Sequence, residues 1–214
     1  MCQTPERNTI APMNERSYEN QPEGVLREQP KGGFWKEIVK FTFITLIIVV
    51  PVRLYVAQPF IVSGASMDPT FHDGEYLIVD QVSKRLEGPE RESVIIFRYP
   101  VEPSKFFIKR VIGLPGETVV IHDGEVTIFN KDFPVNETEG LTLNEPYISE
   151  ENKKSDDLEI ILGSDEYFVM GDNRLGSFDS RSWGPVPERL IIGRPLVRLL
   201  PMEKVSLLPG DFSN

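Results

Sequence analysis

A serine becomes a nucleophile when something nearby takes its proton, and one pairing in this sequence can be built into such chemistry. Ser66 stands in "FIVSGASMDPTF" (residues 60–71), a small-residue turn just beyond the most apolar stretch of the chain. Histidine, the usual proton acceptor, is scarce. His72 sits beside Asp73-Gly74 and His122 in His122-Asp123-Gly124-Glu125, both turn positions. Lysine can take its place if burial among apolar groups brings its pKa down from near 10.4, because such surroundings disfavour the ammonium. Lys109, in "FFIKRVIGL", is the one lysine embedded in a strongly apolar strand. Strand alternation points it to the face of Phe107 and Val111, and Arg110 to the other. Taken singly, each residue has a plainer reading: a serine in a turn, and an edge-strand lysine that blocks aggregation.

The elements that must position these residues are legible from the periodicity. "EYLIVDQV" (75–82), "ESVIIFRY" (92–99), "KFFIKRVIGL" (105–114), "ETVVIHDGEVTIFN" (117–130), "EYFVMGD" (166–172) and "RLIIGRPLVRLL" (189–200) are short, rich in β-branched and aromatic residues, and bounded by Gly, Pro and Asp. They are expected to be strands, with a hairpin turn at Asp123-Gly124. No long segment of residues 60–214 has a 3.6-residue period, so the fold class is mainly β, an antiparallel domain over 59–214. A polar excursion leaves its core at about 120–165, most clearly over 131–165. Its charged run "SEENKKSDDLE" reads as a solvated face and is assigned no role.

Ahead of that domain, residues 1–36 are polar and poor in aromatics and read as a disordered tail. "IVKFTFITLIIVVPVRLYVA" (38–57) has no charge from Phe41 to Val52, and a transmembrane helix is expected over 37–58. Arg27, Lys31, Lys36 and Lys40 precede the span, whereas after Arg53 the next basic residue is Lys84. The positive-inside rule then puts the tail in the cytoplasm and the β domain outside, in a single-pass protein of the cytoplasmic membrane. A cleavable signal peptide is the rival reading, since Ser63-Gly64-Ala65 has the small residues of a cleavage site.

Composition removes other classes. The formal charge of −10 falls wholly on the residues after the expected span, which argues against a nucleic-acid partner. Cys2 is the only cysteine, and neither histidine lies at ligand spacing from it or from the other. No metal and no cofactor is expected.

Four blocks in one order, "SGASMDPTF", "VIIFRYP", "FIKRVIGLPGE" and "YFVMGDNRLGSFDSRSWGPVPERLIIGR", resemble the bacterial type I signal peptidases, membrane-anchored serine proteases that remove signal peptides. The resemblance covers the expected span and most of 58–125 and 166–195. It implies Ser66 as nucleophile and Lys109 as general base, a Ser-Lys dyad on a mainly β fold of the signal-peptidase and repressor-protease type. It implies Ser177 as the hydroxyl that holds the lysine amine, Asp179 and Arg181 as a bracing ion pair together with Arg110, and Gly171-Asp172-Asn173 as the turn that approaches the nucleophile. The oxyanion donor is the Ser66 backbone N–H. Some members have a side-chain oxyanion donor two residues earlier; that position is Gly64 here, and Ser63, one further back, is the candidate left for a side-chain donor. Phe60, Val62 and Ile108 would line shallow pockets for an extended substrate ending in A-x-A-like small residues.

The activity implied is endopeptidase cleavage of secretory preproteins, through an acyl-enzyme, at a bilayer surface and close to the export translocon. About eight residues between Ala57 and Ser66 span at most roughly 30 Å, which keeps the nucleophile near the lipid. Two other functions are compatible with parts of the sequence: a self-cleaving Ser-Lys protease, which needs neither the span nor the "GDNR" block, and a membrane-tethered β binding domain with an idle serine.

Overall fold

In the computed structural model the described residues are 33–51, 57–83, 88–133 and 140–211. The chain forms two compact units, Met1–Thr42 and Phe43–Asn214. Most of the expected tail lies outside the described residues, but Gly33 to Lys36 belong to helix α1 (Gly33–Pro51) and not to a tail. From Phe41 to Val50 this helix is apolar apart from two threonines, and every residue there is exposed.

The expected span over 37–58 needs correction. Proline at 51 cannot continue a helix, and Ala57 and Gln58 are already in strand β1 (Ala57–Ile61), paired with Asp80 and Val79. Lys36, Glu37 and Lys40 occupy the first turns of α1, so its uncharged part is about 16 Å long against a hydrocarbon core of about 30 Å. Among the described residues no helix is long and apolar enough to cross a membrane. Residues 52–56 lie outside the described ones.

The β expectation holds closely. The strands are β2 (Tyr76–Asp80), β3 (Val94–Arg98), β4 (Phe106–Gly113), β5 (Thr118–His122), β6 (Glu125–Phe129), β7 (Leu141–Thr142), β8 (Leu158–Ile161), β9 (Glu166–Met170), β10 (Val186–Pro187), β11 (Ile191–Leu200) and β12 (Ser206–Leu207). A single helical turn, α2 (Ser180–Trp183), was not expected from the sequence. The larger sheet runs β1-β2-β11-β3-β4-β9-β10, with β12 on β11, and a four-stranded sheet runs β7-β6-β5-β8. The predicted hairpin joins β5 and β6 with His122 opposite Glu125. Asp123 and Gly124 both have positive φ, 50° and 84°, as a two-residue primed turn requires. The small sheet closes over its own core of Ile112, Val119, Ile121, Val126, Ile128 and Phe168.

β4 carries the geometry that matters. It pairs with β3 along Phe106 to Arg110, but with β9 only from Arg110 to Gly113, so its first half keeps one free edge among the described residues. Among the described residues β1 pairs only with β2. Two open strand edges therefore flank the middle of the molecule, and Phe60 of β1 meets Phe106 of β4 edge to face at 5.3 Å across them.

The fully buried Arg110 of β4 is held by Asp172, just after β9, through Nε at 2.9 Å and Nη2 at 2.6 Å. Removing Asp172 would strand a buried guanidinium, so Asp172→Ala should cost about 3–5 kcal/mol of stability in urea unfolding. The double variant Arg110→Met, Asp172→Leu should be less destabilised than that single change.

Candidate active site

Ser66 is placed by its neighbours in sequence. Met67 and Phe71 are 1% and 0% exposed, and with Val62, Leu77 and Val94 they anchor the turn in a small apolar cluster. The turn closes on itself through Phe71 N–H to Met67 O at 2.9 Å and Gly74 N–H to Val62 O at 2.9 Å. Gly64 has φ +92°, a conformation that L side chains rarely adopt, and its N–H donates to Asp73 Oδ1 at 2.8 Å. That backbone explains why this position is glycine and not a second hydroxyl donor. Ser63 is exposed at the edge of the cleft. Among the described residues the Ser66 N–H meets no acceptor within the protein.

Lys109, separated from Ser66 by 43 positions, donates from Nζ to Ser66 Oγ at 2.7 Å and to Ile108 O at 2.9 Å. It is 4% exposed. Burial lowers its pKa from an ordinary 10.5 to about 8, against the opposing pull of the Asp179 and Asp172 carboxylates. At 4% exposure Lys109 is not an exposed lysine guarding a strand edge. Both residues open onto an apolar cleft of about 90 Å³, with Phe60, Val62, Ile96, Phe106 and Ile108 on its walls. Among the described residues no three His, Cys, Asp or Glu side chains converge as metal ligands would.

The block after β9 reaches back to the nucleophile turn. Asn173 donates from its backbone to Ser66 O at 3.1 Å and from Nδ2 to Ala65 O at 3.1 Å. Thr70 Oγ1 donates to Asp172 Oδ2 at 2.5 Å, so the carboxylate that holds Arg110 also holds this turn. Gly171 has no room for a side chain: a Cβ there would lie 2.3 Å from Ser66 O and 2.3 Å from Ser177 Oγ.

The bracing pairs divide differently from expectation. Asp179 and Arg181 pair with each other, whereas Arg110 has its bidentate pair with Asp172. Asp179 is 0% exposed, caps α2 by accepting from Arg181 N–H, and accepts from Gly171 N–H at 3.0 Å. Burial alone would raise its pKa, but the Arg181 hydrogen bond and charge, the Gly171 N–H and the nearby Ser177 hydroxyl together hold it below the usual value. Ser177 Oγ is buried and makes no well-aligned hydrogen bond, to Lys109 or to another partner.

Most of the polar run is the solvated face expected, but Asn152 and Asp156 within it, and Glu145 and Tyr147 ahead of it, reach this site. Asn152 donates from Nδ2 to Asp68 O at 3.2 Å and accepts from Leu175 N–H at 3.2 Å, linking the nucleophile turn to the turn after β9. Glu145 pairs with Arg174, and the Tyr147 ring lies 3.9 Å from the Arg110 guanidinium carbon. Asp156 accepts from Arg181 Nη1 at 2.5 Å. Sequence reasoning missed these residues because nothing local separates a charge that pairs across the fold from one that faces water.

The profile of the family described as "Signal peptidase, peptidase S26" matches residues 35–200. The chain is 34% identical over 191 residues to "Probable signal peptidase I-2" of Synechocystis sp., covering 86% of this chain and 82% of that one. It is 35% identical over 180 residues to "Signal peptidase I" of Leptolyngbya laminosa, covering 80% and 83%. It is 35% identical over 165 residues to "Signal peptidase I T" of Bacillus subtilis, covering 72% and 79%. A crystal structure of a signal peptidase I from Enterococcus faecalis V583 is similar at TM-score 0.41 and 30% identity, over 50% of this chain and 97% of that one.

Because a methyl group at position 171 would push directly on Ser66, Gly171→Ala should lower peptidase activity at least about tenfold, a misplacement effect on reacting groups. The same clash should also lower the thermal unfolding temperature, and Gly171→Ser should be worse than Gly171→Ala on both readouts.

Proposed function

The chain belongs to the signal peptidase family, peptidase S26, and we propose that Ser66 and Lys109 are the nucleophile and general base of its chemistry. The protein is a signal peptidase I, a serine endopeptidase that cleaves signal peptides from exported preproteins. The observation that carries the residue assignment is the 2.7 Å contact between Lys109 Nζ and Ser66 Oγ in a cleft where the lysine is nearly dry.

Neutral Lys109 takes the Ser66 proton as Oγ attacks the carbonyl after the small residue. The tetrahedral oxyanion turns to the Ser66 N–H, which is uncommitted inside the protein. The lysine ammonium then gives its proton to the leaving amine, an acyl-enzyme remains, and water deprotonated by Lys109 releases the signal peptide. Ser177 steadies the amine. A buried hydroxyl without a well-aligned partner is available for that bond once Nζ no longer donates to Ser66. Asp179, Arg181 and Arg110 act as structural braces.

The extended substrate adds as a strand between the open edges of β1 and the first half of β4, with Phe60, Val62 and Ile108 facing its side chains. The mostly apolar walls of this shallow cleft suit the small apolar residues of an A-x-A-like end. The partner is thus a secretory preprotein arriving from the export translocon. The location read from this chain is the cytoplasmic membrane, with the N-terminal side cytoplasmic; the exposed apolar residues of α1 from Phe41 to Val50 support a lipid surrounding, and the basic residues ahead of them support the orientation.

Two measurements test this. Ser66→Ala and Lys109→Ala should each abolish preprotein cleavage in detergent, and kcat/KM of the parent should rise with pH to a plateau with its inflection near 8, because only the neutral amine accepts a proton. A profile flat from neutral pH upward would count against Lys109 as base. For the anchor, membranes extracted at alkaline pH should retain the parent protein in the pellet and release a variant carrying Ile44→Lys and Ile48→Lys.

A further inference from the structure

The segment 149–157 touches the site at two places, and one of these contacts acts on charge. Arg181 lies between two carboxylates: Nε and Nη2 bind Asp179 at 2.8 Å, and Nη1 binds Asp156 at 2.5 Å. All three are largely shielded, with side-chain exposures of 0% for Asp179, 8% for Arg181 and 20% for Asp156. We propose that Asp156 is a positioning residue for the Ser66–Lys109 reaction, fixing Arg181 and, as a second carboxylate on one guanidinium, leaving the Asp179–Arg181–Asp156 cluster net negative on the side of Lys109. The proposal rests on the dyad assignment above.

Charge balance carries the inference. A guanidinium paired only with Asp179 makes a neutral cluster, whereas a guanidinium shared with Asp156 leaves a net negative one. A negative cluster near a desolvated amine favours its protonated form, the form Lys109 must take while Ser66 attacks. The carboxylates facing Lys109 are Asp179 and Asp172, and Asp172 is already matched by the buried Arg110. Asp179 faces Arg181. Arg181 faces Asp179 and Asp156, and its Nη2 also donates to Arg174 O at 2.8 Å. Asp156 faces Arg181 and Lys154, whose Nζ is 2.9 Å from Oδ1 and largely in solvent. Lys154 therefore offsets part of the charge of Asp156, and each of the two can be removed without touching the dyad.

The test is the pH profile of kcat/KM for the full-length protein in detergent on a preprotein substrate. Asp156→Asn keeps a hydrogen-bond acceptor for Arg181 but removes the charge, and should move the inflection to lower pH by a few tenths of a unit. Its plateau kcat should fall several-fold with KM unchanged. Lys154→Met, at an exposed position where folding is not at stake, should move the inflection the other way. Opposite shifts support the role of Asp156. Superposable profiles, or shifts of the same sign, overturn it even if the rates fall. Ser66→Ala and Lys109→Ala measured alongside keep the two ideas apart: cleavage by either overturns the dyad itself, whereas two dead variants with unshifted Asp156→Asn and Lys154→Met profiles overturn only the Asp156 proposal.

Discussion

The buried pair of Arg110 and Asp172 is the joint from which the site is assembled. Arg110 follows Lys109 in β4, and Asp172 lies between Gly171 and Asn173, both of which touch the Ser66 turn. Asp172 also accepts from Thr70 at the far end of that turn. One carboxylate thus registers three segments of the chain, the lysine strand, the nucleophile turn and the turn after β9. Arg110 adds bonds to Glu92 O at 2.5 Å and Gly210 O at 2.7 Å, so four of its five N–H donors meet fixed partners. Burying a guanidinium is costly unless it is matched in this way, which makes the arrangement intolerant of sliding.

Around that joint, Lys109 is balanced between two opposing effects. Desolvation favours the neutral amine, and the carboxylates of Asp179 and Asp172 favour the ammonium. The first effect is the larger, and the result, about 8, is a base that is partly free near neutral pH yet still strong enough to accept a proton. The same shift costs stability. Between about 8 and 10.5 the unfolded lysine holds a proton that the folded one has released, so this penalty is full below pH 8 and fades as pH rises toward 10.5. The site gives up some stability for a usable base.

The cleft follows from strand pairing. β4 has a partner on both sides only from Arg110 onward, and the half that carries Phe106 to Lys109 leaves one edge open toward β1. Backbone groups on such edges are unpaired hydrogen-bonding sites, and here they lie beside the reactive pair. The apolar side chains between them, Phe60, Val62 and Ile108 among others, keep water from Nζ and shape the space at once.

Alternation and positive-φ turn residues are local signals and were enough for the strands and the hairpin at Asp123-Gly124, whereas Ser66 was joined to Lys109 by the resemblance of four ordered blocks to a known family. The expected helix over 37–58 was too long at the far end, since nothing local shows that Ala57 and Gln58 pair with Asp80 and Val79. Only the tertiary structure decided which ions pair. Arg110 chose Asp172 over Asp179, and Asp156 left an apparently solvated run to bind Arg181, because charge partners are selected by distance across the fold and carry no mark in the local sequence. The turn around Ser66 was legible as flexible and small; that Gly64 holds φ +92° and so excludes a second hydroxyl donor required the folded backbone.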